Sequence, residues 1–578
     1  MTNSTRTRRS LVALAWMLGV LVAPAAAEDK AAQPAPGLVV SVSEPATDAG
    51  LATLRRGGSA VDAAVATAFA LAVTWPSAGN LGGGGFMMIL PGPGQKPVCV
   101  EYRETAPGAA TPRTLADYPR LDGHLVCGTP GTVAGLALAH GRYGTLPWRD
   151  VVMPAARLAR EGFVVDRALA GSLNRVLRKS PKFAELQRVF APPPGKKKWQ
   201  PGDRLVQPDL ARTLATIATA GPAAFYQGPI AEQIVAEMRA GGGLVSKADL
   251  AGYQARLREP IHGTYRGYDV FGPPPPSSGG ICLVEMLNIL ETFRLGADEA
   301  GAGGPGAIQA GSPRRWSARD AHLVIEAMRR AFCDRARYLG DPDFVRIPAH
   351  LTDKQYARKL AAQIHLERAT PSETLAPDVP MAPEPPATTH FSVVDGNGMA
   401  VANTYTLENS YGCRVVVRGA GFLLNNEMTD FNRIPGRTDR KGLIGTPPNQ
   451  IAPGKRMLSS QTPTLVLRDG RLVLVTGSPG GRTIINTVLC TLVNLVDYRM
   501  SPREALDAPR LHHAWLPDKV HFEALKDPGY AATVARLRQM GHAFDPRSGK
   551  QGDAHTIAIN PTTGRPVGLA DWRITGKR

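Results

Sequence analysis

Six cysteines are few for 578 residues, and they stand singly: Cys99, Cys127, Cys282, Cys333, Cys413 and Cys490. No Cys-x-x-Cys or other zinc-type spacing occurs, so neither a zinc ribbon nor a disulfide framework organises the chain. Most are expected to be small buried apolar residues, with room for one bridge in an exported protein. Aromatic residues make up only 6%. No basic stripe is interleaved with them, and the footprint of a nucleic-acid binder is therefore missing. Beyond the N-terminus no apolar run is long enough to cross a bilayer. The sequence has no H-E-x-x-H and no G-x-S-x-G, which excludes the zincin motif and the serine-hydrolase elbow. The glycine-rich run Ser77–Phe86 lacks the Lys-Ser/Thr of a phosphate loop and reads as a tight backbone crossing that feeds a strand. His512 and His513 are adjacent, so they point apart, and no third ligand accompanies them. No metal and no cofactor are expected.

What is present begins with an export signal. Arg6, Arg8 and Arg9 precede an apolar stretch from Leu11 to Val22, and Ala25-Ala26-Ala27 offers a small-residue cleavage site before Glu28. Residues 1–27 are therefore read as a secretory signal, with an uncleaved membrane anchor as the alternative, and the protein as periplasmic or secreted. Those three arginines belong to a net charge of +18. The other basic residues are scattered, with Lys196-Lys197-Lys198 the densest group, and their summed field favours anionic partners.

Apolar periodicity predicts a short strand at Val39–Val42, then two helices between Thr47 and Val73 broken at Gly57-Gly58. Strands follow at Phe86–Leu90 and from Val98. Residues 133–240 read as mainly helical, Ile281–Leu290 and His322–Leu339 as further helices, and Asp298–Ser312 as a Gly/Ala-rich insertion. Strands at Leu465–Leu467 and Leu472–Thr476 run into Gly480-Gly481 and a helix from Thr483 to about Leu495. A strand, a glycine turn and a helix N-terminus leave backbone N–H groups pointing outward, which suits an anion. Arg433–Met457 has little periodicity and reads as a long surface loop of the kind that serves as a lid.

The sharpest change of texture is at Thr388. Six prolines from Pro371 to Pro386 rule out helix or central strand and mark residues 369–387 as an exposed connector. Then Thr388–Val394 reads as a strand, Asp395-Gly396-Asn397-Gly398 as a turn, and Met399–Leu407 as the return strand. A three-residue loop would set Thr388 opposite Thr406; a two-residue loop would set it opposite Tyr405.

Thr388-Thr389-His390-Phe391-Ser392-Val393-Val394-Asp395, followed by Thr404-Tyr405-Thr406-Leu407 and Leu424-Asn425-Asn426-Glu427-Met428-Thr429-Asp430-Phe431, resembles the gamma-glutamyltranspeptidase (glutathione hydrolase) family. The likeness runs from about Val39 to the C-terminus. It implies an N-terminal-nucleophile hydrolase: an α/β, four-layer αββα sandwich whose large and small subunits come from one self-cleaved precursor. Cleavage at Ala387–Thr388 would give a large subunit of residues 28–387 and a small catalytic subunit of residues 388–578, which pair as a heterodimer.

The same resemblance assigns roles. Thr388 is the nucleophile and Thr406 orients it. Gly480 and Gly481 hold the oxyanion. Arg103, Ser459 and Ser460 bind the α-carboxylate of a γ-glutamyl group, and Glu427 and Asp430 its α-ammonium. Glu408 stands where well-known members have asparagine, and Lys441 where some have an aromatic gate. The implied activity is γ-glutamyl transfer from glutathione and related compounds to water or to an amino acid or peptide. The rivals are a cephalosporin (glutaryl) acylase of the same family, whose substrates lack the α-amine, and a catalytically inactive periplasmic binding homologue.

Overall fold

Twelve strands, taken in chain order, form two six-stranded sheets. They are Gly37–Val40 (β1), Gly84–Leu90 (β2), Val98–Glu101 (β3), Arg256–Arg258 (β4), Ile261–Tyr265 (β5), Tyr268–Gly272 (β6), Thr389–Asp395 (β7), Ala400–Thr406 (β8), Thr464–Arg468 (β9), Arg471–Thr476 (β10), Thr556–Ile559 (β11) and Pro566–Leu569 (β12). The first sheet has the order β1-β7-β8-β2-β3-β4 and the second β12-β11-β10-β9-β6-β5. All neighbouring pairs are antiparallel. This computed structural model describes residues 37–296, 316–376, 388–441 and 443–574, all within one compact unit, Pro36–Arg578.

Strand side chains alternate between faces, and here both faces are buried. On β2, Phe86, Met88 and Leu90 pack with Leu465, Leu467, Val475 and Ile557 between the two sheets. Met87 and Ile89 face the other way, with Phe391, Val393, Val401 and Tyr405. Helices Glu44–Arg55 (α1), Ala60–Thr74 (α2), Trp148–Glu161 (α3) and Arg167–Lys179 (α4) cover that outer face. Helices Gly279–Glu291 (α5), Ala318–Tyr338 (α6) and Thr483–Val496 (α7) cover the second sheet. The layers are therefore helix, sheet, sheet, helix, the αββα sandwich expected. Every residue of α2 is buried, and a Ser59–Asp62 capping box starts it.

The central hairpin takes the three-residue loop. Val394 pairs with Ala400 and Thr389 with Tyr405, which brings Thr388 level with Thr406. Asp395 builds the turn: Oδ1 accepts from Asn397 N at 2.9 Å and Met399 N at 3.0 Å, and Oδ2 accepts from Ala60 N at the start of α2, at 2.9 Å. Gly398 adopts φ +85° there, a conformation that favours glycine. The run before β2 is glycine because it is crowded: a Cβ on Gly83 would collide with the Thr406 carbonyl.

Two expectations change. Arg433–Met457 is not wholly a surface loop, because Asn449, Ile451, Lys455, Arg456 and Met457 are buried. Asn449 Nδ2 donates to the Asp430 carbonyl at 2.7 Å and Arg456 Nε lies 2.7 Å from Glu101, so this half packs inward against Asp430 and Glu101. Lys441 is exposed on the outer half, its N–H bonded to Asp439 at 2.9 Å. All six cysteines are buried and free, so none forms the bridge for which room was left. The 1–27 signal, the 298–312 insertion and Ala387 lie outside the described residues, as does most of the connector.

Candidate active site

Thr388 sits immediately before β7, where the connector ends and the sheet begins. Its Oγ1 lies 3.4 Å from Thr406 Oγ1 at the end of β8. The Thr406 hydroxyl also accepts from Glu408 N at 2.7 Å, so its orientation is fixed by the backbone two residues on. That contact bends the chain: Glu408 has φ +73°, which is strained for a residue with a Cβ. Its carboxylate accepts from Asn426 Nδ2.

A cavity of about 30 Å³ opens beside Thr388, lined by Thr406, Glu408, Arg103, Glu427, Asp430, Ser459, Ser460 and Gly481 among others. Nine of the ten site residues named from the sequence meet there; the tenth, Gly480, lies on the other side of Thr388. Arg103 is 1% exposed. Its Nη1 is 2.6 Å from Glu427 Oε2, and its Nη2 donates to Asp430 Oδ2. Its Nε donates to the Met457 carbonyl at 3.2 Å. The guanidinium and the two acids thus form one cluster, rather than two separate half-sites.

The cluster holds more carboxyls than cations. Burial pushes the Glu427 carboxyl well above the ordinary range, against the pull of Arg103. Glu104, fully buried behind Arg103, is pushed up to about 8 by the same desolvation. A ligand cation would relieve this excess of acid.

Ser459 and Ser460 close the opposite wall. Ser460 Oγ accepts from Arg335 Nη2 at 3.1 Å, and Arg335 Nε donates to Ser278 Oγ at 2.9 Å. Ser278 Oγ in turn donates to the Ser459 carbonyl at 2.7 Å. The sequence reading missed Arg335, Glu104 and Gln461. Gln461 is 2% exposed, lines the cavity, and neither amide atom has a partner among the described residues. Its signal was its place directly after Ser459-Ser460.

Gly480 and Gly481 form the floor between β10 and α7, with φ +138° and +58°. The Gly480 carbonyl accepts from Thr483 N at 3.2 Å and Thr483 Oγ1 at 2.8 Å, and the Gly481 carbonyl from Ile484 N at 3.1 Å. Both carbonyls are turned back into the helix. Neither glycine N–H has a partner among the described residues. Two spare donors beside a threonine hydroxyl are what a developing oxyanion needs.

Behind Thr388, His390 fills the space between the sheets. Its Nδ1 is 2.8 Å from Thr404 Oγ1 and its Nε2 3.1 Å from Ser392 Oγ. Burial holds its pKa well below the ordinary value, so it is a neutral packing group. His512 and His513 bond to Asn486 and Asp518. His322, Glu326 and His542 lie together like metal ligands. However, Arg329 and Arg330 both pair with Glu326 and already supply its positive charge.

An αββα sandwich with a threonine at the head of a central strand defines the class of N-terminal-nucleophile hydrolases. The profile of the family described as Gamma-glutamyltranspeptidase matches residues 46–578. The chain belongs to that family. It is 45% identical over 552 residues to the glutathione hydrolase proenzyme of Escherichia coli (strain K12), covering 93% of this chain and 90% of that one. Among solved structures it resembles the cephalosporin acylase from Bacillus halodurans, with TM-score 0.78, 27% identity, and coverage of 93% of this chain and 94% of that one. It also resembles the Helicobacter pylori gamma-glutamyltranspeptidase, with TM-score 0.53 and 39% identity, over 59% of this chain and 95% of that one.

Proposed function

We propose that the protein is a γ-glutamyltransferase and glutathione hydrolase, exported as a proenzyme that cuts itself before Thr388. The cluster of Arg103 with Glu427 and Asp430 beside a threonine hydroxyl carries this reading. A γ-glutamyl group ends in one carboxylate and one ammonium. Its carboxylate would take Arg103 and the Ser459–Ser460 wall, and its ammonium would take Glu427 and Asp430, so the buried ion pairs are exchanged and not lost. Charged hydrogen bonds of this kind are the strong ones. Glu408, held by Asn426, borders the ammonium end.

The threonine hydroxyl is a weak nucleophile and needs a base. In the precursor Thr388 Oγ1 attacks the Ala387 carbonyl, the peptide C–N bond breaks, and water hydrolyses the ester. The freed α-amine, with an ordinary pKa of about 7.7–8.0, then takes the Oγ1 proton. Thr388 attacks the γ-amide carbon while Gly480 and Gly481 N–H groups receive the oxyanion. The C–N bond breaks as the departing amine takes the proton, leaving a glutamyl ester. Water or an acceptor amine attacks that ester, the C–O bond breaks, and Thr388 recovers its proton. Thr406 holds the hydroxyl in line through its 3.4 Å contact.

The test compares a γ-glutamyl-anilide with a glutaryl-anilide, which differ only in the α-amine. A strong preference for the glutamyl compound supports the reading. Equal rates, or a preference for the glutaryl compound, would make it an acylase. Turnover of neither by the cut protein would point to a binding homologue.

A further inference from the structure

Arg335 stands behind the Ser459–Ser460 wall, outside the lining of the cavity. It is a buried cation on α6. Its Nη2 donates to Ser460 Oγ at 3.1 Å and its Nε to Ser278 Oγ at 2.9 Å. Ser278 Oγ passes the contact on to the Ser459 carbonyl, at 2.7 Å. The turn before α5 grips the same stretch through its backbone. Ser278 N donates to the Ser459 carbonyl and Ser459 N to the Pro276 carbonyl, both at 2.8 Å.

The direction of these bonds decides what the wall can hold. A hydroxyl has one proton to give and two lone pairs to accept with. Ser460 Oγ accepts from Arg335, and Ser459 Oγ accepts from Gln461 N at 3.1 Å. A guanidinium and a backbone N–H can only donate, so neither takes the serine proton in return. Neither hydroxyl donates to an acceptor among the described residues. Two protons are thus left for the cavity, with a buried positive charge behind them. A carboxylate, which only accepts, fits that wall. An ammonium, which only donates, meets engaged lone pairs and a like charge. Arg103 shares its own charge with Glu427 and Asp430, and Arg335 adds a second cation on the serine side.

We propose that Arg335 is a positioning residue of the γ-glutamyl site. It turns the Ser460 hydroxyl directly and braces Ser459 through Ser278, so that the wall receives the α-carboxylate and the amino-acid end of the substrate enters one way round. The inference rests on the γ-glutamyl reading above and adds to it a residue that touches no substrate atom. With the guanidinium removed, the Ser460 hydroxyl loses its fixed donor and rotates, and the carboxylate loses one aimed proton. The loss falls on binding, because the steps at Thr388 draw on Gly480 and Gly481 and not on this wall.

The test compares a γ-glutamyl-anilide with its α-carboxamide, which keeps the ammonium and differs only at the α-carboxyl group. Self-cut wild type should favour the carboxylate by about tenfold or more in kcat/KM, as expected for charged hydrogen bonds made or missing. Arg335→Gln should raise KM for the carboxylate compound about tenfold, with kcat near wild type. It should leave the carboxamide nearly as it was, so the ratio moves toward one. Arg335→Lys should recover part of the ratio, because a cation returns behind Ser460. If the Arg335 variants do not self-cut, Ser278→Ala keeps the guanidinium and removes one arm of the brace, and it should lower the ratio about threefold. A wild-type ratio of one, an unchanged ratio in the variant that is cut, or an equal fall for both compounds overturns the proposal. The glutamyl-to-glutaryl comparison varies the amine and not the carboxyl, so it reports on the γ-glutamyl reading alone and the two can fail separately.

Discussion

Thr388 and Thr406 face each other, 3.4 Å between their oxygens, because the turn at the far end of their hairpin has three residues. A loop one residue shorter would pair Thr388 with Tyr405, whose side chain belongs to the opposite face and bonds the Ala68 carbonyl at 2.9 Å. The register of a hairpin thus decides whether Thr388 has a hydroxyl opposite it.

Asp395 is expected to hold that register. Its three buried hydrogen bonds fix the turn and tie it to α2. Asp395→Ala should cost about 3 kcal/mol, at roughly 1 kcal/mol for each bond. Thermal melting in an uncut Thr388→Ala background checks this with a single chain. No fall in the midpoint would mean that the turn forms without it.

Thr406→Val keeps the shape and removes the hydroxyl. Thr388 loses its partner, and Glu408 N its acceptor. Both self-cleavage and turnover should slow by about 10- to 100-fold, the usual effect of a misoriented reacting group. Band intensities over time and kcat for a γ-glutamyl-anilide report the two steps. An unaltered kcat would remove Thr406 from the mechanism.

Gly480→Ala should damage turnover while leaving the fold in place. Its φ of +138° disfavours any Cβ, and that Cβ would meet Thr483 Oγ1. The N–H would turn from the oxyanion position, with a loss of about 10²–10³ in kcat. A substrate KM close to wild type is expected, because the proposed binding mode puts the glutamyl end in the cavity of Arg103, Glu427 and Asp430.

The pH dependence follows from the acidic cluster. Glu104, raised to about 8 by burial, holds its proton at pH 6, and burial also pushes the Glu427 carboxyl above the ordinary carboxylate range. A ligand ammonium prefers them ionised, so its binding strengthens as pH rises toward 8. The Thr388 amine must also be neutral, which adds a second rising limb for every substrate. The ratio of glutamyl to glutaryl kcat/KM cancels that limb and should climb between pH 6 and 8. Glu104→Gln should flatten it. A ratio that stays flat in wild type would contradict this balance of charge in the cluster.

Local signals made much of this legible. The periodicity of Ala60–Thr74 and the turn residues after Asp395 gave the helix and the hairpin, because both follow from spacing. The site residues came from long motifs, not from spacing, since Arg103, Thr388, Asp430 and Gly480 meet only through sheet pairing of distant segments. Arg335 was hidden because its role depends on α6 passing behind Ser460. The buried half of Arg433–Met457 was misread because its partners, such as Glu101, are far away in sequence.

The most direct measurement is the intact mass of the purified protein beside that of Thr388→Ala. The account predicts two chains in wild type, the second beginning at Thr388, and one uncut chain in the variant. A wild type that remains a single chain would contradict it, because Thr388 would then have no free α-amine and no base.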